Sequence, residues 1–216
     1  MSFQVMMEQL GGGMLKSAGI FFLTLLFSLP LGLFVAFGRM SRNKLLQGII
    51  RIYISIMRGT PLMLQLLAVY FGPYYLAGAK LGKNWRFTAI IIAFVVNYAA
   101  YFAEIYRSGI ASMPPGQYEA AKLLGYSKSG TFMRIILPQV IKRILPSVTN
   151  EVMTLIKDTS LSFSLAYAEM FTIAKQIAAK ETSFVPFIAA ALFYYIFNAI
   201  VGLVMNRIEK SMEYYT

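Results

Sequence analysis

Long apolar stretches without charge alternate along this chain with short charged segments. Four stretches contain no Asp, Glu, Lys or Arg: residues 17–38, 59–79, 87–103 and 182–206. A helix needs about 20 apolar residues to cross the hydrocarbon core of a bilayer, so each stretch predicts a membrane-spanning helix. A fifth apolar stretch, residues 144–168, is interrupted by three charged residues, and we interpret it as a span that carries polar groups.

With their flanking residues, the five predicted spans cover residues 15–39, 45–78, 86–111, 140–168 and 182–207. Residues 45–57 are amphipathic and are expected to form an interfacial or leading part of the second span. The chain shows no internal repeat, low-complexity segment or Ser/Pro-rich linker. The pattern therefore predicts an all-α, polytopic membrane protein with a single transmembrane domain over residues 1–216.

The basic residues predict the orientation of these spans. The net charge is +11, which in a soluble protein would suggest a nucleic-acid partner. In a membrane protein it indicates Lys and Arg retained on the cytoplasmic side. The connections on one side carry eleven Lys and Arg residues and those on the other side carry six. We therefore expect an external N-terminus, a cytoplasmic C-terminus and no nucleic-acid partner. Residues 1–8 lack a basic segment, so no cleaved signal peptide is expected.

The composition excludes several kinds of chemistry. The chain has no His and no Cys, which removes Ser-His-Asp catalysis, Cys nucleophiles and thiolate or imidazole metal sites. Residues 78–84 come nearest to a phosphate-binding Walker A loop, but the spacing is one residue short and Asn84 replaces the required Ser or Thr. We therefore expect no catalytic residue, metal or cofactor in this chain, and any ATP use must come from a partner.

The connection over residues 112–138 carries helix and turn signals. Pro114 and Pro115 end the third span, and residues 119–124 are good helix formers. Gly125 suits a left-handed helix cap, and Ser127 or Ser129 can cap a second short helix. The connection therefore predicts a helix–turn–helix on the cytoplasmic surface. Its apolar residues require a partner protein or the ends of the spans; they are Ala120, Leu123, Leu124 and Phe132.

The spacing within this connection matches a known motif. It reads Glu119-Ala120-Ala121, then Gly125, Ile135 and Leu137-Pro138. Every fixed position agrees with the EAA motif of ABC importer permeases, which the chain resembles over roughly residues 15–210. Residues 58–62, 103–110 and 157–161 resemble the polar amino acid branch of that family, which includes histidine, arginine, glutamine and cystine permeases.

The resemblance implies a type I importer fold in a bacterial cytoplasmic membrane that moves a polar amino acid inward by alternating access. It also implies a second permease subunit, identical or different, and an extracytoplasmic substrate-binding protein. A separate ATPase dimer would bind ATP and Mg²⁺ and contact the connection as a coupling helix. On this resemblance the ATPase contacts are Gln117, Glu119, Ala120, Ala121, Leu124 and Gly125.

Polar residues inside the predicted spans are the candidates for substrate binding. An ionisable group at the bilayer centre costs about 3 kcal/mol, so it faces a cavity or a partner. A zwitterionic amino acid needs donors for its carboxylate and acceptors for its ammonium group. The candidate contacts are Thr60, Asn97, Tyr101, Glu104, Lys157, Asp158 and Ser160. The alternatives are a Glu104–Arg107 ion pair, an interhelical hydrogen bond from Asn97, and a Lys157–Asp158 pair across subunits.

Two other functions remain open at this point. An ion-gradient-driven secondary transporter would use Glu104 or Asp158 as a proton relay. Such transporters often contain inverted repeats, and the absence of an internal repeat in this sequence disfavours that function. A membrane scaffold without transport activity would recruit a soluble partner through residues 107–143.

Overall fold

The computed structural model describes residues 1–212, and every regular element within them is helical. The α-helices are α1 (Phe3–Arg39), α2 (Lys44–Gly59), α3 (Leu62–Ala77), α4 (Trp85–Ala111), α5 (Pro115–Leu123), α6 (Lys128–Thr131), α7 (Leu137–Asp158), α8 (Met170–Glu181) and α9 (Val185–Ser211). A π-helical turn, Phe132–Ile136, joins α6 to α7, and a 3₁₀ helix, Thr159–Leu165, continues α7. The all-α membrane architecture predicted from the sequence is confirmed.

Three helices in the described part, α1, α4 and α9, are long and apolar enough to cross a membrane. Helices α2 and α3 meet the same criterion only as a pair, with a bend of 112° between them. The predicted second span is therefore a broken helix, because Pro61 cannot continue the hydrogen-bond ladder of α2. Helix α7 has 22 residues but is not among the helices that meet the criterion. A span over residues 140–168 stays a prediction.

Several helix boundaries differ from the predicted ranges. Helix α1 begins at Phe3 rather than near residue 15, and the Ser2 hydroxyl caps it by accepting from the Val5 amide at 3.4 Å. Helix α8 was not predicted at all. It falls in the charged stretch between the last two ranges, where the apolar pattern carries no signal for a span.

The long helix α1 packs along α4 more extensively than any other pair of helices in the described chain. Small residues line this contact, and a Cβ on Gly32 would lie 2.9 Å from Phe102 Cβ and 3.1 Å from the Ala99 carbonyl oxygen. Membrane helices approach closely where such small residues meet. Phe94, Tyr98 and Phe102 of α4 are buried in the main hydrophobic core together with Ile20 and Phe21 of α1. Helix α4 is therefore the central element of the fold.

A buried carboxylate holds the start of α8. Glu169 is fully buried and accepts from the backbone amides of Phe171 and Thr172 at 2.8 Å each. It also accepts from Tyr194 on α9 at 3.2 Å and from Ser17 on α1 at 3.4 Å. This carboxylate therefore caps α8 and joins it to α1 and α9.

Candidate functional site

The coupling segment, residues 112–138, begins with helix α5. Pro114 has an extended backbone and Pro115 occupies the first turn of the helix, where its missing N–H costs no hydrogen bond. At the other end Gly125 has φ +79°. The Tyr126 amide donates to the Ala121 carbonyl at 3.0 Å, and the Gly125 amide donates to Lys122 at 3.1 Å. This bond pair is a Schellman motif, and the predicted left-handed cap at Gly125 is confirmed.

The predicted second short helix of the coupling segment is continuous with α7. Ser127 caps α6, as expected, by accepting from the Gly130 amide at 3.1 Å. However, α6 has only four residues and runs through the π-helical turn directly into α7. Pro138 lies just beyond that turn. A π-helical turn changes the register of the backbone bonds, so the missing N–H of Pro138 does not end the helix there.

Helix α5 exposes some of its motif residues and is anchored by others. Leu124 is 76% exposed, and Glu119, Ala120 and Gly125 are also exposed. Ala121 is buried. These exposed positions form a free surface, while the buried side of α5 faces the rest of the chain.

Two polar contacts fix the segment to the transmembrane helices. The Gln117 and Gln139 amides donate to each other, at 2.8 and 2.7 Å, and join α5 to α7. Arg143 of α7 donates to the carbonyl and hydroxyl oxygens of Ser112, just after α4, at 2.8 and 3.2 Å. Helix α5 is therefore hydrogen-bonded to α7, and α7 is hydrogen-bonded to the end of α4. Gln117 faces this internal contact, and its predicted contact with an ATPase stays a prediction.

Among the candidate substrate contacts, Thr60 and Asn97 meet at the break between α2 and α3. The Thr60 hydroxyl donates to the Ile56 carbonyl at 2.8 Å. The Asn97 side-chain nitrogen donates to the Met57 carbonyl at 3.1 Å and to Gln65 Oε1 at 2.9 Å. The interhelical hydrogen bond considered for Asn97 is present in the structure.

Tyr101 follows Asn97 by one turn of α4 and also meets the end of α2, whereas Asp158 is the last residue of α7. The Arg58 guanidinium stacks over the Tyr101 ring, 5.3 Å from its centroid. The buried Tyr98 hydroxyl donates to Asp158 Oδ2 at 2.7 Å. Because Asn97 and Tyr98 are adjacent on one helix, their side chains point in different directions. The structure therefore orients Asn97 towards α2 and α3, and Asp158 towards Tyr98.

Glu104 forms an ion pair with Arg107, one turn further along α4. Arg107 Nε lies 2.8 Å from Glu104 Oε1. The Glu104–Arg107 alternative is thus the arrangement that the structure contains.

Lys157 and Ser160 line a cavity of about 720 Å³ beside α8 and α9. Aromatic residues form much of its wall: Phe171, Phe184, Phe187, Tyr194 and Tyr195. The Ser160 hydroxyl donates to the Lys157 carbonyl at 2.7 Å. Within one chain, the predicted substrate contacts therefore divide between the α2–α3 break, the core of α4 and this aromatic cavity.

The opposite end of the molecule collects basic residues. Lys16, Lys83 and Arg86 line one cavity of about 620 Å³. Arg86 also donates to the Ala166 carbonyl at 3.3 Å. Three of the six basic residues assigned to the external side are therefore brought together at one site.

The sequence analysis missed four polar residues that organise these sites: Gln65, Tyr98, Gln139 and Glu169. Gln65 is a lone amide within an uncharged stretch, four residues after Pro61. A buried amide close to a helix break needs hydrogen-bond partners, and that signal could have identified it. Tyr98 and Gln139 gave no such signal because their partners are distant in sequence.

Comparison with known proteins gives consistent matches. The family model "Binding-protein-dependent transport system inner membrane component" matches residues 28–214. The L-cystine transport system permease protein TcyB of Bacillus subtilis is 36% identical over 208 residues, covering 95% of this chain and 87% of that protein. The putative glutamine transport system permease protein GlnP of Rickettsia conorii is 37% identical over 192 residues, covering 88% and 86%.

Solved structures agree with these matches. A crystal structure of an amino acid ABC transporter with histidines contains a chain that is 31% identical, with a TM-score of 0.87, covering 98% of this chain and 99% of that one. An inward-facing structure of the MetNI methionine ABC transporter has a TM-score of 0.76 at 17% identity, covering 98% and 99%. At 17% identity, the match to the MetNI structure supports only the fold of this chain.

Proposed function

The chain belongs to the family of binding-protein-dependent transport system inner membrane components, and from this premise we propose that it is the permease subunit that carries an amino acid in an ABC importer. The family assignment confirms the resemblance carried by the EAA spacing. As a permease subunit the chain is a transport component in the cytoplasmic membrane. The substrate class is supported by relatives named for L-cystine and glutamine transport.

The observation that carries the proposal is helix α5. It bears the EAA residues, ends in a defined Schellman turn, and leaves Leu123 90% exposed and Leu124 76% exposed. Exposed large apolar side chains on a short, anchored helix indicate a protein-binding surface. A separate ATPase subunit, which would bind ATP and Mg²⁺, is the partner we propose for it.

The geometry provides a mechanical route from that surface to the spans. A movement of α5 acts on α7 through the Gln117–Gln139 pair, and on α4 through Arg143 and Ser112. Helices α4 and α7 carry Tyr101, Glu104, Lys157 and Asp158. Closure of an ATPase dimer would therefore rearrange the helices that hold the proposed substrate contacts, as alternating access requires.

Among the proposed substrate contacts, Lys157 and Ser160 line a cavity of about 720 Å³, whereas Thr60 lines a smaller one of about 330 Å³. Thr60 and Asn97 already bond to the α2–α3 break, and Glu104 already pairs with Arg107. Tyr101 and Asp158 contact Arg58 and Tyr98. A substrate that bound to any of these residues would have to replace the internal contact that the residue already makes. We propose Lys157 and Ser160 as the first contacts to test.

The remaining partners and the orientation are also proposals. The family description supports an extracytoplasmic binding protein. The basic cavity of Lys16, Lys83 and Arg86 lies at the end we place outside, with the C-terminus inside. Helix α9 exposes Leu192, Ile196, Ile200 and Leu203, a surface for lipid or for a second permease subunit, identical or different.

Reconstitution in liposomes tests the proposal. The chain is combined with the ATPase and binding protein that copurify with it, and uptake of L-cystine, glutamine, histidine and arginine is measured together with ATP hydrolysis. We expect one of these amino acids to stimulate hydrolysis and to accumulate inside. Replacing both exposed leucines by Ser should weaken ATPase binding without preventing membrane insertion.

Two results would contradict the proposal. Uptake by the chain without any ATPase would support an ion-gradient-driven transporter. A stable complex with a soluble partner that neither hydrolyses ATP nor supports uptake would support a scaffold.

A further inference from the structure

The break between α2 and α3 interrupts the backbone hydrogen bonds at the end of α2, next to the buried side chains of Gln65 and Asn97. The last carbonyl groups of a helix have no partner within that helix, and at membrane depth no water is present to satisfy them. Here the carbonyls of Ile56, Met57 and Thr60 all receive side-chain hydrogen bonds. The 112° bend is therefore accompanied by side-chain bonds to two carbonyls of the last turn of α2 and to the Thr60 carbonyl beyond it.

Gln65 is the centre of these side-chain bonds. Its amide nitrogen lies within hydrogen-bond distance of the Met57 carbonyl at 3.0 Å, the Thr60 carbonyl at 3.1 Å and the Thr60 hydroxyl at 2.8 Å. Its oxygen accepts from Asn97 at 2.9 Å. Gln65 is 9% exposed and Asn97 is 4% exposed. One amide thus connects the last turn of α2, the first turns of α3 and the middle of α4.

The same turn carries a charged group. Arg58 lies between Met57 and Thr60 in sequence, and its guanidinium stacks 5.3 Å from the Tyr101 ring centroid. The turn clamped by Gln65 therefore carries a basic group of α2 that contacts α4.

We infer that Gln65 is a positioning residue for transport: its amide fixes the α2–α3 break against Asn97 and thereby keeps Arg58 over Tyr101. The inference rests on the proposed function for the transport route, whereas the clamp itself is visible in the structure. Loss of the clamp frees the last turn of α2, so Arg58 no longer stays over the Tyr101 ring.

The test uses the complete complex with its ATPase and binding protein in liposomes. Gln65→Leu removes all amide bonds at nearly constant volume. Gln47→Leu is the matched control, because Gln47 is an amide on α2 that lies away from the break and donates to the Arg39 carbonyl at 3.3 Å. The double variant Gln65→Asn with Asn97→Gln keeps an amide at both positions and keeps the combined length of the two side chains.

Two readouts separate positioning from general stability. The chain has no Cys, so Ile52→Cys and Tyr75→Cys, at positions 62% and 75% exposed, introduce the only labelling sites in this chain. Spin labels there report the bend as a distance distribution. The second readout is amino acid uptake per ATP hydrolysed. Arg58→Gln adds a further comparison, because it removes the positioned group and leaves the clamp.

For Gln65→Leu we expect a broadened distance distribution and about a tenfold lower uptake per ATP, since two or more net hydrogen bonds are lost. Gln47→Leu should leave both readouts unchanged, and the Gln–Asn exchange should recover most of the uptake. Arg58→Gln should lower uptake per ATP without changing the distance. If Gln65→Leu does not assemble, Thr60→Ala removes one acceptor of the clamp and should give a smaller change in the same direction.

The inference fails if the unsubstituted complex transports and Gln65→Leu matches it in both distance and uptake per ATP. It also fails if Arg58→Gln transports normally, because the clamp then positions nothing that transport needs. Absence of uptake by the unsubstituted complex would instead overturn the proposed function.

Discussion

The substitution Gly125→Val should uncouple the permease from its ATPase through the backbone alone. Gly125 has φ +79°, and a Cβ placed on it would meet nothing within 4 Å. No side-chain clash therefore contributes, and the cost is that of a left-handed backbone, about 1–2 kcal/mol for a residue with a Cβ. That cost makes the turn about 5- to 30-fold less populated relative to other conformations.

The turn matters because two backbone bonds depend on it, from Tyr126 to Ala121 and from Gly125 to Lys122. When they are lost, α5 no longer ends at a fixed place and Leu124 changes its direction. We expect the affinity for the ATPase subunit to fall by about the same 5- to 30-fold, and uptake to fall with it. Membrane insertion should persist, since the change lies outside the predicted spans.

The assay is a titration of the purified ATPase onto the permease in lipid nanodiscs. Gly116→Val is the matched control, because Gly116 lies in the same helix, also has open space, and has an ordinary φ. Gly125→Asn should lie near the unsubstituted protein, since Asn tolerates the left-handed region. Equal affinities for Gly125→Val and Gly116→Val would refute the reasoning.

Three further predictions concern packing, charge and orientation. Gly32→Ala should destabilise the α1–α4 contact by about 1–3 kcal/mol, because its Cβ would lie 3.1 Å from the Ala99 carbonyl oxygen. Gly19→Ala, whose Cβ meets nothing within 4 Å, should leave the stability unchanged. Thermal unfolding in detergent compares the stabilities of the two variants. Glu104→Gln and Arg107→Gln should give similar losses of stability and leave substrate preference unchanged, because the two side chains pair with each other; a changed preference in Glu104→Gln alone would restore Glu104 as a substrate contact. An impermeant thiol reagent added outside intact cells should label Lys83→Cys, and a C-terminal reporter should be cytoplasmic; the reverse pattern would overturn the proposed orientation.

Local chemistry made parts of the coupling segment predictable. Gly125 lies in the left-handed turn where the sequence analysis places it, and Ser127 is one of the two serines expected to cap the second short helix. Helix α5 begins at Pro115, four residues before the predicted helix formers, because proline suits the first turn of a helix. Each of these residues acts on backbone groups within five positions of itself. Such effects need no knowledge of distant contacts, so the sequence is sufficient to predict them.

The candidate substrate contacts were less predictable because their neighbours come from distant parts of the chain. Asn97 and Asp158 share the polar character that an amino acid site requires. Their bonding partners are Gln65, 32 positions from Asn97, and Tyr98, 60 positions from Asp158. Helical spacing identifies residues on one face, but it does not say which other helix that face meets.

The amino-acid sequence by itself determined that this chain is an all-α membrane protein with a motif-bearing segment, since hydropathy and short-range spacing depend only on local order. Pro61 already predicts a break in the second span, but tertiary structure alone decided that the bend is 112° and that Gln65 and Asn97 join its parts. It also decided that the polar candidates divide among three places. Side-chain hydrogen bonds inside a membrane protein follow from how helices approach one another, and that approach is set by packing over the whole chain.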